Sequence, residues 1–141
     1  MFEIILTSCI TIFGGILVFT SGKVIDSFFI EPIHELRREI GKIADILIFH
    51  ANIYSLPGSG TKEKLDETSF ILRQEASLLK SKYHLISCKK FFVFLRIILK
   101  ETNIESAHKG LIYLSNNIHQ GNGSTNEKTA KEIREALKIR F

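Results

Sequence analysis

The chain has 141 residues, a formal net charge of +4 and 45% hydrophobic residues, which leaves room for one domain beside a membrane segment. The charge is too small to indicate nucleic acid and fits a neighbour of an anionic membrane surface at least as well. Cys9 and Cys88 lie far apart and form no CxxC pair, so we expect them to be packing residues.

Residues 4–22 form a run of nineteen residues without a charged side chain, His, Asn, Gln or Pro. As a helix this run would be ~29 Å long, close to the ~30 Å of a bilayer core. We predict a transmembrane helix. A buried core helix is the first alternative, although a helix apolar on every face is rare in so short a chain. A cleavable signal peptide is the second, but Glu3 stands where its basic residues should be.

Basic residues follow the apolar run and do not precede it. Lys23, Arg37 and Arg38 lie on its C-terminal side, whereas residues 1–3 carry no Lys or Arg. The positive flank of a span faces the cytoplasm. We therefore expect the N-terminus outside and residues 24–141 in the cytoplasm.

One face of the predicted span carries small residues, because Thr7, Thr11 and Gly15 are spaced four apart. Small residues let two helix backbones approach closely in lipid, and hydroxyls can bond across the contact. The pattern predicts self-association within the membrane, although Thr and Gly are common in any span.

The rest of the chain shows helical periodicity and no period of two, so we expect an all-α fold without a sheet. The first helix should run past the membrane until Glu31-Pro32 interrupts it. The second helix is predicted over 32–54, with Glu39 off its apolar seam. His50 and Tyr54 fall on that seam and form a possible buried polar site, most simply a hydrogen-bonded core histidine.

A loop with Pro57 and two glycines separates the second helix from a third, predicted over 62–84. Thr102 and Ser124 each begin a capping-box pattern, predicting a fourth helix to about residue 118 and a short last helix. We expect two parts: 1–31 is a transmembrane helix with its extension, and 32–141 is a cytoplasmic antiparallel helical bundle.

Basic and aromatic side chains alternate before and within an apolar block at 91–99, which is too short to span a bilayer as a helix. The pattern indicates core packing or contact with the membrane surface, and RNA binding is a weaker interpretation. The residues that would touch the membrane are Lys89, Lys90, Phe91, Phe92 and Arg96.

Two Glu-x-x-His pairs, Glu31/His34 and Glu105/His108, resemble half of a di-iron site. Glu67 or Glu75 could add one ligand, but no further helix supplies the last, so we expect no metal. There is no P-loop, no HExxH motif and no nucleophile elbow. We predict a protein that is not an enzyme and needs no cofactor.

Three segments resemble a family of small bacterial single-pass membrane proteins of unknown function. They are FFIEPIHELRREIGKIADILIFHANIYSLPGSG, LRQEASLL and LIYLSNNIHQGN, and the similarity covers nearly the whole chain. The resemblance implies the bacterial inner (cytoplasmic) membrane and no catalytic activity.

These patterns predict a membrane-anchored interaction or assembly module that self-associates and meets an unidentified protein partner. The alternative is an oligomeric membrane effector or pore-forming protein, for which bacterial defence is one role to consider.

Overall fold

The computed structural model describes residues 1–140; Phe141, the last residue of the predicted bundle, lies outside them. Helices and loops make up this range, and it contains no strand, so the predicted all-α class is confirmed. The elements are α1 (Phe2–Ile25), a π-helical segment (Asp26–Ile30), α2 (Glu31–Phe49), α3 (Ala51–Ser55), α4 (Lys62–Leu85), α5 (Lys89–Phe94), α6 (Glu101–Asn117) and α7 (Gly123–Leu137).

The first three elements form one continuous helix of 48 residues, Phe2–Phe49. The expected interruption at Glu31-Pro32 is therefore not a break. Pro32 has no N–H, and its ring crowds the carbonyl four residues back. The wider π-helical turn just before it makes room, and Glu31 N–H donates to Asp26 O, five residues back.

The second helix ends earlier than predicted, because His50 leaves the helical conformation with φ −96° and ψ 14°. Its carbonyl accepts from Ile53 N and Tyr54 N at 3.0 and 3.3 Å, which starts α3. The loop after α3 needs a glycine, since Gly58 has φ +75° and a Cβ there would lie 2.9 Å from His119 O.

Helices α2, α4, α6 and α7 pack against one another around one apolar core. α4 packs against both α2 and α6, and α7 packs against α6 and α3. Apolar positions spaced three and four residues apart, as the helical periodicity predicts for an inward face, supply the core: Ile33, Leu36, Ile43 and Leu47 from α2; Leu65, Leu72, Ala76, Leu79 and Tyr83 from α4; Ile104, Ala107, Leu111 and Leu114 from α6; and Ala130, Ile133 and Leu137 from α7.

Neither predicted capping box forms. α6 begins at Glu101 without a side-chain cap, and Glu105 instead pairs with Lys80 at 3.0 Å. The cap of α7 is Asn122, whose Oδ1 accepts from Ser124 N and Thr125 N at 3.0 and 3.4 Å. An Asn two residues earlier outcompetes the Ser-based box because its amide oxygen reaches both free N–H groups.

Candidate functional site

Most of α1 extends away from the packed helices, and its contacts are with the π-helical segment that follows it. None of its residues is buried. Its most apolar 18-residue window has a mean hydropathy of 2.2, and none of that window is covered by other parts of the chain. Within residues 1–140 it belongs to the one helix long and apolar enough to cross a membrane. In water such a helix would expose its apolar surface on all sides, at a large cost in free energy.

The predicted association face is open in the single chain. A Cβ built at Gly15 meets nothing within 4 Å. The hydroxyls of Thr7 and Thr11 donate to Glu3 O and Thr7 O, at 2.8 and 2.9 Å. Their hydrogens are thus used within α1, and each oxygen keeps a lone pair for a donor from another chain.

The short helix α5 lies beside the π-helical segment, where the continuous helix leaves its apolar part. The rings of Phe92 and Phe29 are 6.1 Å apart between centroids. Phe29 is seven residues beyond Gly22, which corresponds to ~10 Å along the helix axis. The polar interface on each side of a bilayer is ~5–8 Å thick. A membrane around residues 4–22 would therefore place α5 close to the lipid headgroups.

The structure divides the predicted membrane-contact residues into two groups. Phe92 is half-buried against Phe29, whereas Phe91 is 57% exposed. The most exposed ring of α5 is Phe94, at 82%, which the sequence did not single out. Lys89 lies over the Tyr83 ring, 5.3 Å from Nζ to the centroid.

Lys90 and Arg96 are exposed. The block 91–99 is therefore part core and part surface: Ile98 is buried, while Leu95 and Ile97 are exposed.

His50 and Tyr54 share a region but not a polar site. His50 Nδ1 lies 3.2 Å from Thr68 Oγ1, and that hydroxyl donates to Lys64 O at 2.8 Å. Because the hydroxyl hydrogen of Thr68 is used in that bond, the hydrogen between His50 and Thr68 is on Nδ1, which donates to Thr68 Oγ1. Burial holds the pKa of His50 below its ordinary value of 6.5, which keeps the ring neutral at pH 7.

Tyr54 is buried, and its hydroxyl donates to Leu47 O at 2.8 Å. Its own carbonyl accepts from Asn126 Nδ2 at 2.9 Å, which joins α3 to α7. These bonds tie the end of α2 and α3 to the core, so the Tyr54 contacts are structural.

The structure contains a buried carboxyl pair that the sequence did not predict. It consists of Glu39 of α2 and Glu75 of α4. Glu39 is 0% exposed and Glu75 is 9% exposed. The prediction that Glu39 lies off the seam is wrong. It comes three residues after Leu36 and four before Ile43, the spacing of the buried face, and Glu75 stands in the same relation to Leu72 and Leu79.

Lysines neutralise one end of this pair. Lys82 Nζ and Lys42 Nζ lie 3.3 and 3.5 Å from Glu39 Oε2. Lys82 is held in turn by Glu35, at 2.7 Å. If both carboxyls were ionised, the lysines would still face Glu39 Oε2, but buried Glu39 Oε1 and Glu75 Oε2 would have no hydrogen-bond donor.

One proton resolves this conflict. Burial, together with the hydrogen bond to Glu39 and the charge of Glu39, raises the pKa of Glu75 to about 7. Burial also opposes the charge on Glu39. The hydrogen bond from Glu75 and the ammonium groups of Lys82 and Lys42 outweigh it, so the pKa of Glu39 lies below its ordinary 4.5. Glu75 is the member of the pair that holds the proton.

The two Glu-x-x-His pairs are not brought together. Glu105 is paired with Lys80 and Lys109, and His108 Nδ1 lies 3.0 Å from Ala76 O. Among residues 1–140, no group of three or more His, Cys, Asp or Glu is arranged to hold a metal ion.

Comparison with protein-family models, with curated proteins and with solved structures found no match to the chain.

Proposed function

We propose that the protein is a membrane-anchored helical module that self-associates and presents a helical bundle to the cytoplasm. The observation that carries this proposal is the contrast between α1, which has no buried residue, and α2–α7, which enclose a core of their own. The bilayer would cover the apolar surface that the protein leaves uncovered.

The position of α5 supports the same arrangement. Exposed Phe91 and Phe94 lie on one short helix, next to Lys89 and Lys90, at the end of the packed helices that receives α1. Aromatic rings and basic side chains are the groups that favour the headgroup region of an anionic membrane. In this proposal α5 rests on the inner leaflet as a second contact.

Topology is the first test. We place the N-terminus outside and α2–α7 inside, in a bacterial inner membrane, because the basic residues follow the apolar run of α1. A reporter that works only in the cytoplasm should be active when fused after Phe141, and one that works only outside should be silent. The reverse pattern would invert the orientation and remove α5 from the inner leaflet.

Self-association is tested on two small residues of opposite faces. Gly15 has open space around a Cβ and shares the face of Thr7 and Thr11, whereas exposed Cys9 lies on the opposite side of α1. Gly15→Leu should weaken cross-linked oligomers in membranes, because a bulky side chain separates the backbones. Cys9→Leu is the control on the opposite face and should leave them intact. Equal yields for both variants would move the interface away from this face.

The second candidate is an oligomeric membrane effector that forms a pore. Thr7, Ser8 and Thr11 favour it, because their hydroxyls give the first half of α1 a polar element that a purely hydrophobic anchor does not need. Overexpression with a membrane-potential dye separates the two functions. Depolarisation that Gly15→Leu abolishes would support a pore, and an unchanged potential would support the anchor.

A further inference from the structure

A cleft opens on the side of the packed helices where α2, the loop from α5 to α6 and the end of α7 meet. Its volume is about 640 Å³. Small-molecule sites in proteins have volumes of ~300–1,000 Å³, so the cleft has room for a ligand of ordinary size.

The charged groups of the cleft all have one sign. Arg37, Arg96, Lys100 and Lys138 line it, and none of its lining residues is acidic. The ion pairs found among residues 1–140 include none of these four side chains. Four cations around one opening repel each other, and an anion placed among them would relieve that repulsion.

Most of the remaining cleft surface is aliphatic. Seven of the twelve lining residues are Leu, Ile or Val, with Leu36 and Ile40 contributed by α2 and Ile97 by the loop. Asn103 is the one neutral polar residue, and its amide is already used, because Nδ2 donates to Ala136 O at 2.9 Å. The cleft therefore offers positive charge and an apolar surface, with few neutral polar groups.

The cations are held in place by the backbone. Arg96 and Lys138 have φ +58° and +55°, a left-handed conformation that is uncommon for residues with a Cβ. Backbone bonds fix both turns, from Arg96 N to Val93 O and from Lys138 N to Glu135 O, at 3.0 and 3.1 Å. Arg37 Nη2 donates to Ile97 O at 3.2 Å, which ties α2 to the loop across the cleft.

We propose that this cleft binds an anionic amphiphile, a phosphate or carboxylate joined to an aliphatic or aromatic body. The arginines can donate paired hydrogen bonds to the anionic group, and the lysines add charge. The aliphatic residues cover the body of the ligand. This site goes beyond the proposed function, since neither membrane insertion nor self-association requires it.

The test uses the full chain in nanodiscs of zwitterionic phosphatidylcholine and three probes: hexyl phosphate, inorganic phosphate and hexanol. Binding is read as a concentration-dependent rise in the melting temperature, because a ligand of the folded state stabilises it. Hexyl phosphate should give a saturable rise, and its two halves should give much less at the same concentration. A rise of equal size with inorganic phosphate would overturn the proposal.

Charge-neutral variants locate the site. Arg96→Gln should raise the Kd for hexyl phosphate about tenfold, the effect expected for one charge-assisted contact. The double change Lys100→Gln and Lys138→Gln, on two exposed side chains, repeats the test should Arg96→Gln not fold. The matched control is Lys62→Gln with Lys128→Gln, two exposed basic residues outside the cleft lining. Equal losses in cleft and control variants would refute the site.

Two sources could supply the anion, a lipid headgroup or a soluble molecule. Replacing part of the phosphatidylcholine by phosphatidylglycerol distinguishes them. If phosphatidylglycerol weakens the binding of hexyl phosphate to the wild type but not to Arg96→Gln, the lipid competes for the cleft, and the anion is a lipid headgroup. An unchanged affinity would assign it to a soluble ligand.

Discussion

The buried carboxyl pair makes stability depend on pH in an unusual direction. The unfolded Glu75 carboxyl ionises near 4.5, whereas in the folded protein its pKa is about 7. Between these values the folded state holds a proton that the unfolded state lacks. Raising the pH through this window must therefore destabilise the fold.

The size of the effect follows from the two pKa values. A rise from 4.5 to about 7 in the pKa of Glu75 lowers the free energy of unfolding by roughly 2–3 kcal/mol between pH 5 and pH 8. For a chain of this length that corresponds to a fall in the melting temperature of roughly 10 °C. Glu39 does not enter this window, because its pKa is lowered and its contribution is lost only below about pH 4.5.

His50 acts in the opposite direction within part of the window. Its pKa is lowered by burial, so it destabilises the fold as the pH falls below 6.5. The difference between wild type and Glu75→Gln isolates the carboxyl pair, since both chains carry His50. The glutamine amide is neutral at every pH and can donate to Glu39, so Glu75→Gln should melt higher than wild type at pH 8 and close to it at pH 5.

The assay is thermal unfolding of the full chain in an uncharged detergent, followed by far-UV circular dichroism from pH 5 to pH 8. Glu132→Gln is the matched control, because Glu132 is exposed in the middle of α7. It should keep the wild-type slope. Parallel curves for wild type and Glu75→Gln would show that Glu75 does not titrate in this range and would refute the shared proton.

Three further predictions use the same melting assay. His50→Leu should keep or gain stability while His50→Asp loses about 2 kcal/mol or more, because a carboxylate there is half-buried and meets the negative charges of Glu67 and Asp45 as well as the positive charge of Lys64; tolerance of Asp would contradict the placement of the ring. Gly41→Ala should stabilise α2 by ~0.5–1 kcal/mol. Gly110→Ala should destabilise, because its Cβ would lie 2.6 Å from a side-chain carbon of α7, whereas Gly41 has open space; equal shifts would contradict the close approach of α6 and α7. In a chain with Cys9→Ala, in which a thiol dye attaches to Cys88, Phe94→Glu should leave the melt unchanged but reduce quenching of the dye by headgroup-spin-labelled lipid, and unchanged quenching would separate α5 from the membrane.

Regular spacing made much of the fold predictable. The apolar run that became α1 and the seam residues Leu36, Leu72 and Leu111 could be identified because burial follows the 3.6-residue period. Glu39 and Glu75 occupy the same period, but a rule that assigns charge to the surface excluded them. Their burial depends on partners from another helix, Lys82 above all, and sequence spacing does not show which side chains meet across an interface.

Local competition explains the other differences. Two residue types that favour a helix start lay within one turn of each other, and Asn122 rather than Ser124 became the cap of α7. The break at His50 could not be predicted, because no neighbouring proline or glycine marks the end of the helix. The cleft was not predictable, since its cations come from α2, the loop before α6 and the end of α7.

The continuous helix from Phe2 to Phe49 also fixes the angle, about the helix axis, between the faces of α1 and those of α2. Successive residues of an α-helix are turned by about 100°, so the direction that Gly15 faces is set relative to the faces of α2 by the number of residues between them. The π-helical segment Asp26–Ile30 is part of that count, and its wider turn offsets the two ends. Deleting one residue from the regular α-helix between Gly15 and Asp26 would turn the Thr7–Thr11–Gly15 face by about 100° relative to α5. A tilt or rotation of α1 would therefore also move α2, because the two belong to one continuous helix.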